Sequence, residues 1–103
     1  MDKTMSFKHI VMWTLHENAN GNDKSTNARL AKEALEALNG QIPGLQHLEV
    51  GIDIVQAVGS YDLVLVAELE SRASLDVYQD HPKHQAVLPL IKSIASQRAA
   101  VDY

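Results

Sequence analysis

The segment YQDHPKHQ, from Tyr78 to Gln85, places two histidines, a tyrosine and an aspartate around one proline. An imidazole titrates near neutral pH, so a histidine here could take a proton from an activated carbon or bind a divalent metal. The same residues could also form only the polar start of a helix. The elements that position these side chains decide between the three interpretations.

The composition predicts a single globular domain over residues 1–103, since one hydrophobic core usually serves roughly 100–200 residues. The hydrophobic content of 46% and the charged content of 21% argue against disorder. Because there is no cysteine, disulfides, thiol catalysis and zinc–thiolate sites are excluded.

Charge and hydropathy narrow the range of partners. The net charge is −4 and no cluster of Lys or Arg occurs, so a nucleic-acid partner is not expected. No apolar run approaches the roughly 18–20 residues of a membrane span, and the segment MDKTMSFKHI has no apolar signal region. We therefore expect a cytoplasmic protein whose partners are small molecules or a second copy of itself.

The hydrophobic pattern predicts the element order β-α-β-β-α-β. Strands are predicted over residues 7–15, 45–54, 61–71 and 96–103, and helices over residues 23–39, 71–80 and from 82 onward. This order is typical of the ferredoxin-like α+β fold, in which helices cover one face of an antiparallel sheet.

The first predicted strand, FKHIVMWTL, is largely apolar on both faces. Alternation places Phe7, His9, Val11, Trp13 and Leu15 on one face and Ile10 and Met12 on the other. A strand of this kind is covered on both sides, and 103 residues supply no third layer. We therefore expect a homodimer that packs sheet against sheet and encloses a barrel-like core.

Pro82 divides the histidine segment into a helix junction. Pro82 suits the first turn of a helix, and the ring of His81 before it is expected either to point to solvent or to cap that helix. His84 and Tyr78 can then converge on one cavity. The alternative to a functional role is a structural one, in which His84 hydrogen-bonds a backbone carbonyl and Tyr78 only packs in the core. A metal site is not favoured, because Pro82 disturbs the helical spacing of the histidines and no HExxH pattern is present.

A second group of residues is expected to line the same inner surface as substrate-binding residues: His9, Val11, Trp13, Asp62, Val64 and Arg98. Asp62 could pair with His9 or Arg98, which would reduce the cost of burying each charge. A polar spot in an apolar cavity is the usual form of a small-ligand site. An internal ion pair of structural use is the alternative.

Five segments carry a resemblance to a known family: FKHIVMWTL, IPGLQHLEVG, YDLVLVAELES, LDVYQDHPKH and the terminal VDY. In this order they cover nearly the whole chain, and the tyrosine with HPKH and the VDY are the most specific. The chain resembles the stress-responsive dimeric α/β-barrel (Dabb) family. The resemblance implies a ferredoxin-like protomer, a sheet-to-sheet dimer, and a pocket between sheet and helices.

The resemblance also implies roles for individual residues. In a plant cyclase of this family, which closes a polyketide chain by aldol condensation, a histidine of the H-P-x-H segment acts as base and a preceding tyrosine assists. These positions match His84 and Tyr78, and a pocket histidine of the first strand matches His9. A further pocket histidine of the cyclase is replaced here by Asp62.

Two functions are consistent with these residues. The first is a cofactor-free, cyclase- or lyase-like enzyme for a small carbonyl-bearing hydrophobic substrate, with His84 as general base and Tyr78 polarising the carbonyl. His9 and Asp62 would adjust the properties of this site. A bound nucleotide is not expected, because the sequence contains neither a phosphate-binding loop nor a dinucleotide-binding motif. The alternative is a non-catalytic, stress-related dimer that binds a small apolar ligand.

Overall fold

A computed structural model of the protein describes residues 6–103. Its elements are β1 (Phe7–Leu15), β2 (Asn18–Ala19), β3 (Asn22–Asp23), α1 (Lys24–Glu36), β4 (Leu45–Ile52), β5 (Leu63–Leu69), α2 (Arg72–Asp80), α3 (Pro82–Ile94) and β6 (Ala95–Asp102). The short β2–β3 hairpin lies in a segment where the sequence predicted a loop. The other elements follow the predicted order.

The main sheet has the strand order β4-β5-β1-β6, and each neighbouring pair is antiparallel. The helices α1, α2 and α3 lie on one face of this sheet, which confirms the predicted ferredoxin-like α+β fold. No helix within residues 6–103 is long and apolar enough to cross a membrane. The cytoplasmic location stays a prediction.

The inner face of the sheet forms the core with the helices. In β1 the residues His9, Val11, Trp13 and Leu15 are buried, as the alternation predicts, whereas Met12 on the other face is 37% exposed. The largest fully buried side chains come from β4, β5 and the helices: Tyr78, Leu48, Leu65, Leu69 and Ile94. The core therefore joins the inner face of the sheet to the helices.

Each helix begins at a residue whose side chain caps it: Asp23 for α1, Ser71 for α2 and His81 for α3. The side chain of Asp23 accepts a hydrogen bond from the Thr26 backbone N–H at 2.8 Å, which caps α1. His81 ends α2 in extended geometry, and its Nδ1 accepts from the Lys83 N–H at 3.1 Å to cap α3. Pro82 occupies the first turn of α3. The predicted helix junction at His81 and Pro82 is thus confirmed.

Gly44 allows α2 to approach the turn that leads into β4. Its φ of +84° is in the left-handed region, and a Cβ there would lie 2.7 Å from Oγ of Ser74 in the first turn of α2. Both facts favour glycine, because a side chain would be strained and would also clash. Gly44 therefore helps to place the helix that carries Tyr78.

We expect Gly44→Ala to destabilise the protein more than Gly59→Ala. Gly59 has a similar φ of +88° but no atom within 4 Å of the added Cβ, so its substitution should cost only about 1–2 kcal/mol of conformational strain. Gly44→Ala adds the clash with Ser74, which should cost about 1–3 kcal/mol more. Urea unfolding of both variants measures the difference, and equal losses would contradict the assigned contact.

Candidate functional site

A cavity of about 320 Å³ lies between the inner face of β1 and β6 and the helices α2 and α3. Its walls are mostly apolar, and its polar groups include His9, Tyr78, His84 and Arg98. An apolar cavity with a few convergent polar groups is the usual form of a small-molecule site. The cavity is therefore the candidate functional site.

His84 lies in the first turn of α3, and its ring is held by the end of α2. Its Nδ1 is 3.1 Å from the carbonyl oxygen of Gln79, which can only accept a hydrogen bond. Nδ1 therefore carries the proton, and in the neutral ring Nε2 keeps its lone pair. Burial lowers the pKa of His84, and His9 nearby lowers it further, although the bond to Gln79 opposes both effects. A neutral, basic imidazole near pH 7 results.

Tyr78 packs against His84 in the core. The side chain is only 1% exposed, and its ring centroid lies 4.5 Å from that of His84. Burial raises the pKa of the Tyr78 hydroxyl well above its usual range of about 10. The hydroxyl therefore stays protonated and can donate a hydrogen bond to a ligand.

His9 completes a row of three rings. Its ring centroid is 6.0 Å from that of Tyr78, in an edge-on arrangement. Nδ1 of His9 is hydrogen-bonded to Oδ1 of Asp102, which lies directly opposite on β6. On the other side of β1 the opposite residue is Ala67, whose small side chain leaves room for the imidazole. His9 is thus held in one orientation.

Asp102 was missed by the sequence interpretation, although it belongs to the quoted terminal VDY. The signal that could have found it is the pairing of β6 with β1, which places Asp102 beside His9. This register involves residues far apart in the chain and is not visible in the local pattern.

Six of the eight predicted site residues line the cavity: His9, Val11, Trp13, Tyr78, His84 and Arg98. The sequence interpretation did not include other polar residues of the cavity wall, among them Gln79, Lys92 and Gln97. Arg98 lies opposite Trp13 on β6. The arrangement brings a base, a hydroxyl donor and a cation to one cavity.

The predicted positions of Asp62 and Val64 are wrong. Asp62 Oδ2 accepts from the Leu15 backbone N–H at 2.7 Å and lies 3.4 Å from Nζ of Lys24. Neither an Asp62–His9 nor an Asp62–Arg98 pair forms. Val64 lies opposite Met12 on the outer face of the sheet. Side chains alternate between the two faces of β5, and Leu65 opposite Val11 points into the cavity. Val64, one position before it, therefore points to the outer face, and Asp62 lies just before the strand.

Within residues 6–103, no group of three or more His, Asp or Glu side chains is arranged to hold a metal ion. His81 Nδ1 is engaged in capping α3, and His84 Nδ1 is engaged with Gln79. Of the two histidines of HPKH, His81 therefore caps a helix, whereas His84 lines the cavity.

The sequence of the chain matches the family model of the stress responsive A/B barrel domain (Dabb) over residues 7–103. A dimeric ferredoxin-like protein of unknown function from Thermobifida fusca is 30% identical, with a TM-score of 0.81 over 100% of this chain and 93% of that chain. A dimeric protein of unknown function from Bacteroides fragilis is 28% identical, with a TM-score of 0.84 over 95% of this chain and 94% of that chain. An uncharacterized protein of Streptomyces coelicolor is 28% identical over 86% of this chain and 90% of its own length.

Two enzymes resemble the chain in fold alone. A hydroxynitrile lyase from Passiflora edulis is 13% identical, with a TM-score of 0.73 over 95% of this chain and 91% of that chain. A cofactor-independent oxygenase from Streptomyces nogalater is 8% identical, with a TM-score of 0.74 over 95% of this chain and 90% of that chain. At these identities only the shared architecture follows.

We expect the free energy of unfolding to fall as the pH falls from about 6.5 through the lowered pKa of folded His84. In this range the unfolded chain takes up the proton before the folded chain does, so acid favours unfolding. His84→Gln should reduce this slope, whereas His16→Gln, which removes an exposed histidine, should leave it in place. Urea unfolding at a series of pH values measures the slopes, and an unchanged slope in His84→Gln would contradict the assigned burial.

Proposed function

The chain belongs to the stress-responsive A/B barrel domain (Dabb) family, and from this premise we propose that it is a cofactor-free acid–base enzyme for small, carbonyl-bearing hydrophobic substrates. The observation that supports the proposal is the contact between a neutral imidazole and a protonated phenol in one apolar cavity. His84 supplies the base and Tyr78 the hydrogen-bond donor, at a ring separation of 4.5 Å.

The reaction starts with proton transfer to Nε2 of His84. The proton leaves a carbon next to the substrate carbonyl, and the electron pair moves into the carbonyl group to form an enolate. The Tyr78 hydroxyl donates a hydrogen bond to the enolate oxygen, which stabilises the developing charge. His84, now an imidazolium, returns the proton to the product. General base catalysis of this kind contributes about 10²–10⁴ in rate.

His9 and Asp102 support this chemistry from the opposite wall. The Asp102 carboxylate can only accept the Nδ1 proton of His9, so Nε2 of the neutral ring is left without that proton. The ring of His9 meets that of Tyr78 edge-on, with 6.0 Å between the two ring centroids. We assign His9 the role of orienting the substrate or relaying a proton, and His84 the role of the primary base.

Enzymes with different reactions occur on this fold. The relative from Passiflora edulis is a hydroxynitrile lyase and that from Streptomyces nogalater is a cofactor-independent oxygenase. This analogy is consistent with an enzyme on this fold but does not select the reaction, because one fold hosts many functions. We propose proton abstraction as the reaction because His84 and Tyr78 lie together in the cavity.

We expect His84→Gln to slow proton exchange next to a substrate carbonyl by about a hundredfold or more, because the base is lost while the side-chain volume is roughly kept. Incubation with a panel of medium-chain and aryl methyl ketones in D₂O, followed by NMR, measures the exchange. Tyr78→Phe should also slow it by about a hundredfold, since the donor to the enolate is removed.

His81→Gln is the matched control, because His81 caps α3 and does not line the cavity. Its exchange rate should stay within about threefold of the unchanged protein. Exchange in His84→Gln at the rate of the unchanged protein would remove the mechanism.

The second candidate function is non-catalytic binding of a small apolar ligand. The apolar part of the cavity wall favours it, through Val11, Trp13, Leu65 and Ile91. Ligand binding without proton exchange for any ketone would support this function over catalysis.

We also propose a homodimer that packs the outer faces of two sheets together. On this face the cross-strand rows are apolar: Val64, Met12 and Ala99 form one row, and Val66, Ile10 and Val101 the next. Val101 is 61% exposed in the single chain. Apolar rows that span three strands are typical of an interface, and the relatives from Bacteroides fragilis and Thermobifida fusca are described as dimeric.

We expect the protein to sediment as a dimer at micromolar concentration and Val101→Asp to shift it to the monomer, because a carboxylate would be buried without a partner. Val77→Asp is the matched control, since Val77 is 47% exposed on α2, away from the sheet face. Sedimentation velocity distinguishes the two variants. A monomeric unchanged protein would contradict the dimer.

A further inference from the structure

The cavity has a second polar end, remote from His84. Lys92 follows His84 by eight residues on α3, about 12 Å along the helix axis. Lys92 and Arg98 both line the cavity, and both are exposed to solvent. They lie towards the carboxyl end of α3, whereas His84 lies in its first turn.

The strands give the same spacing. Trp13 follows His9 by four residues on β1, about 13 Å, and Arg98 lies opposite Trp13. The last residue of α3 meets the end of β1, where the His16 N–H donates to the Ile94 carbonyl at 2.9 Å. Helix and strand therefore lead from the histidine end to the same second end, where Lys92 and Arg98 lie.

The second end carries unbalanced positive charge. Within residues 6–103, no aspartate or glutamate lines this cavity and neither Lys92 nor Arg98 forms an ion pair. Asp102 is hydrogen-bonded to His9 at the other end. In a chain of net charge −4, two unpaired cations at one cavity end create a local attraction for anions.

The wall between the two ends is apolar, formed by Val11, Trp13, Leu65, Leu88 and Ile91. A ligand that contacts both ends therefore needs an apolar middle. An arginine side chain can bind a carboxylate through two parallel hydrogen bonds, and a lysine adds a point charge.

We propose that the substrate is a carboxylic acid with an apolar body, whose carbonyl reaches His84 while its carboxylate is bound by Arg98 and Lys92. The carbonyl part rests on the proposed function, and the acid part rests on the two cations alone. Because both cations are exposed, water competes for them and each contributes modestly to affinity. Together they select acids over neutral molecules of the same shape.

The test uses two matched probes, para-acetylphenylpropionate and its primary amide, which differ in the charged end and share the ketone. Calorimetry should show that the acid binds about tenfold more tightly than the amide. Arg98→Gln and Lys92→Gln should each weaken binding of the acid by about threefold to fivefold and leave the amide unchanged. The preference for the acid should decrease as salt is added.

Lys83→Gln is the matched control, because Lys83 lies on the same helix and donates to Gln41 Oε1 at 2.6 Å, outside the cavity. It should bind the acid as the unchanged protein does. Equal affinities for acid and amide, an equal loss in Lys83→Gln, or no binding of either probe at millimolar concentration would each overturn the proposed substrate class.

The same samples in D₂O separate this inference from the proposed function. Exchange of the acetyl protons that is unaffected by His84→Gln would overturn the assigned base, whatever the affinities are. A preference for the acid that depends on Arg98 and Lys92 would stand in that case, because binding does not require the proton transfer.

Discussion

The hydrogen-bonded register of β1 between β5 and β6 is the constraint on which the candidate site depends. It places His9 opposite Ala67 on one side and Asp102 on the other, and it places Trp13 opposite Arg98. A slip by one residue would move every side chain of β1 to the other face of the sheet. The imidazole would then lose its carboxylate partner and the cavity would lose its polar wall. The two ends of the cavity are thus set by one pairing.

The break between α2 and α3 sets the second half of the site. The carbonyls in the last turn of a helix have no partner within that helix, and the Gln79 carbonyl is one of them in α2. It accepts from His84 Nδ1 at 3.1 Å and from Gln85 Nε2 at 2.6 Å. A continuous helix would have used this carbonyl internally. The junction at Pro82 therefore supplies the acceptor that orients His84 and fixes its tautomer.

Burial has opposite effects on the pKa values of the two central groups, and both effects serve the same chemistry. Removal from water disfavours the charged form, so the pKa of His84 falls and that of Tyr78 rises. Both groups stay neutral near pH 7, one as a base and the other as a donor. At the far end Lys92 and Arg98 remain in contact with water, so their charges are kept at little cost. One cavity thereby combines a dry reactive end with a solvated, positively charged end.

The sequence by itself determined the elements and the local chemistry. The bounds of β1 and the place of Pro82 in the first turn of α3 follow from short-range patterns, and the same patterns indicated that Tyr78 and His84 could approach one cavity. Only the tertiary structure decided that Asp102 contacts His9 and that Asp62 and Val64 do not. Alternation shows which residues of one strand share a face, but it does not show which face of the next strand adjoins them. That match depends on hydrogen bonds between residues far apart in the chain, as the sequence separation of 93 from His9 to Asp102 illustrates.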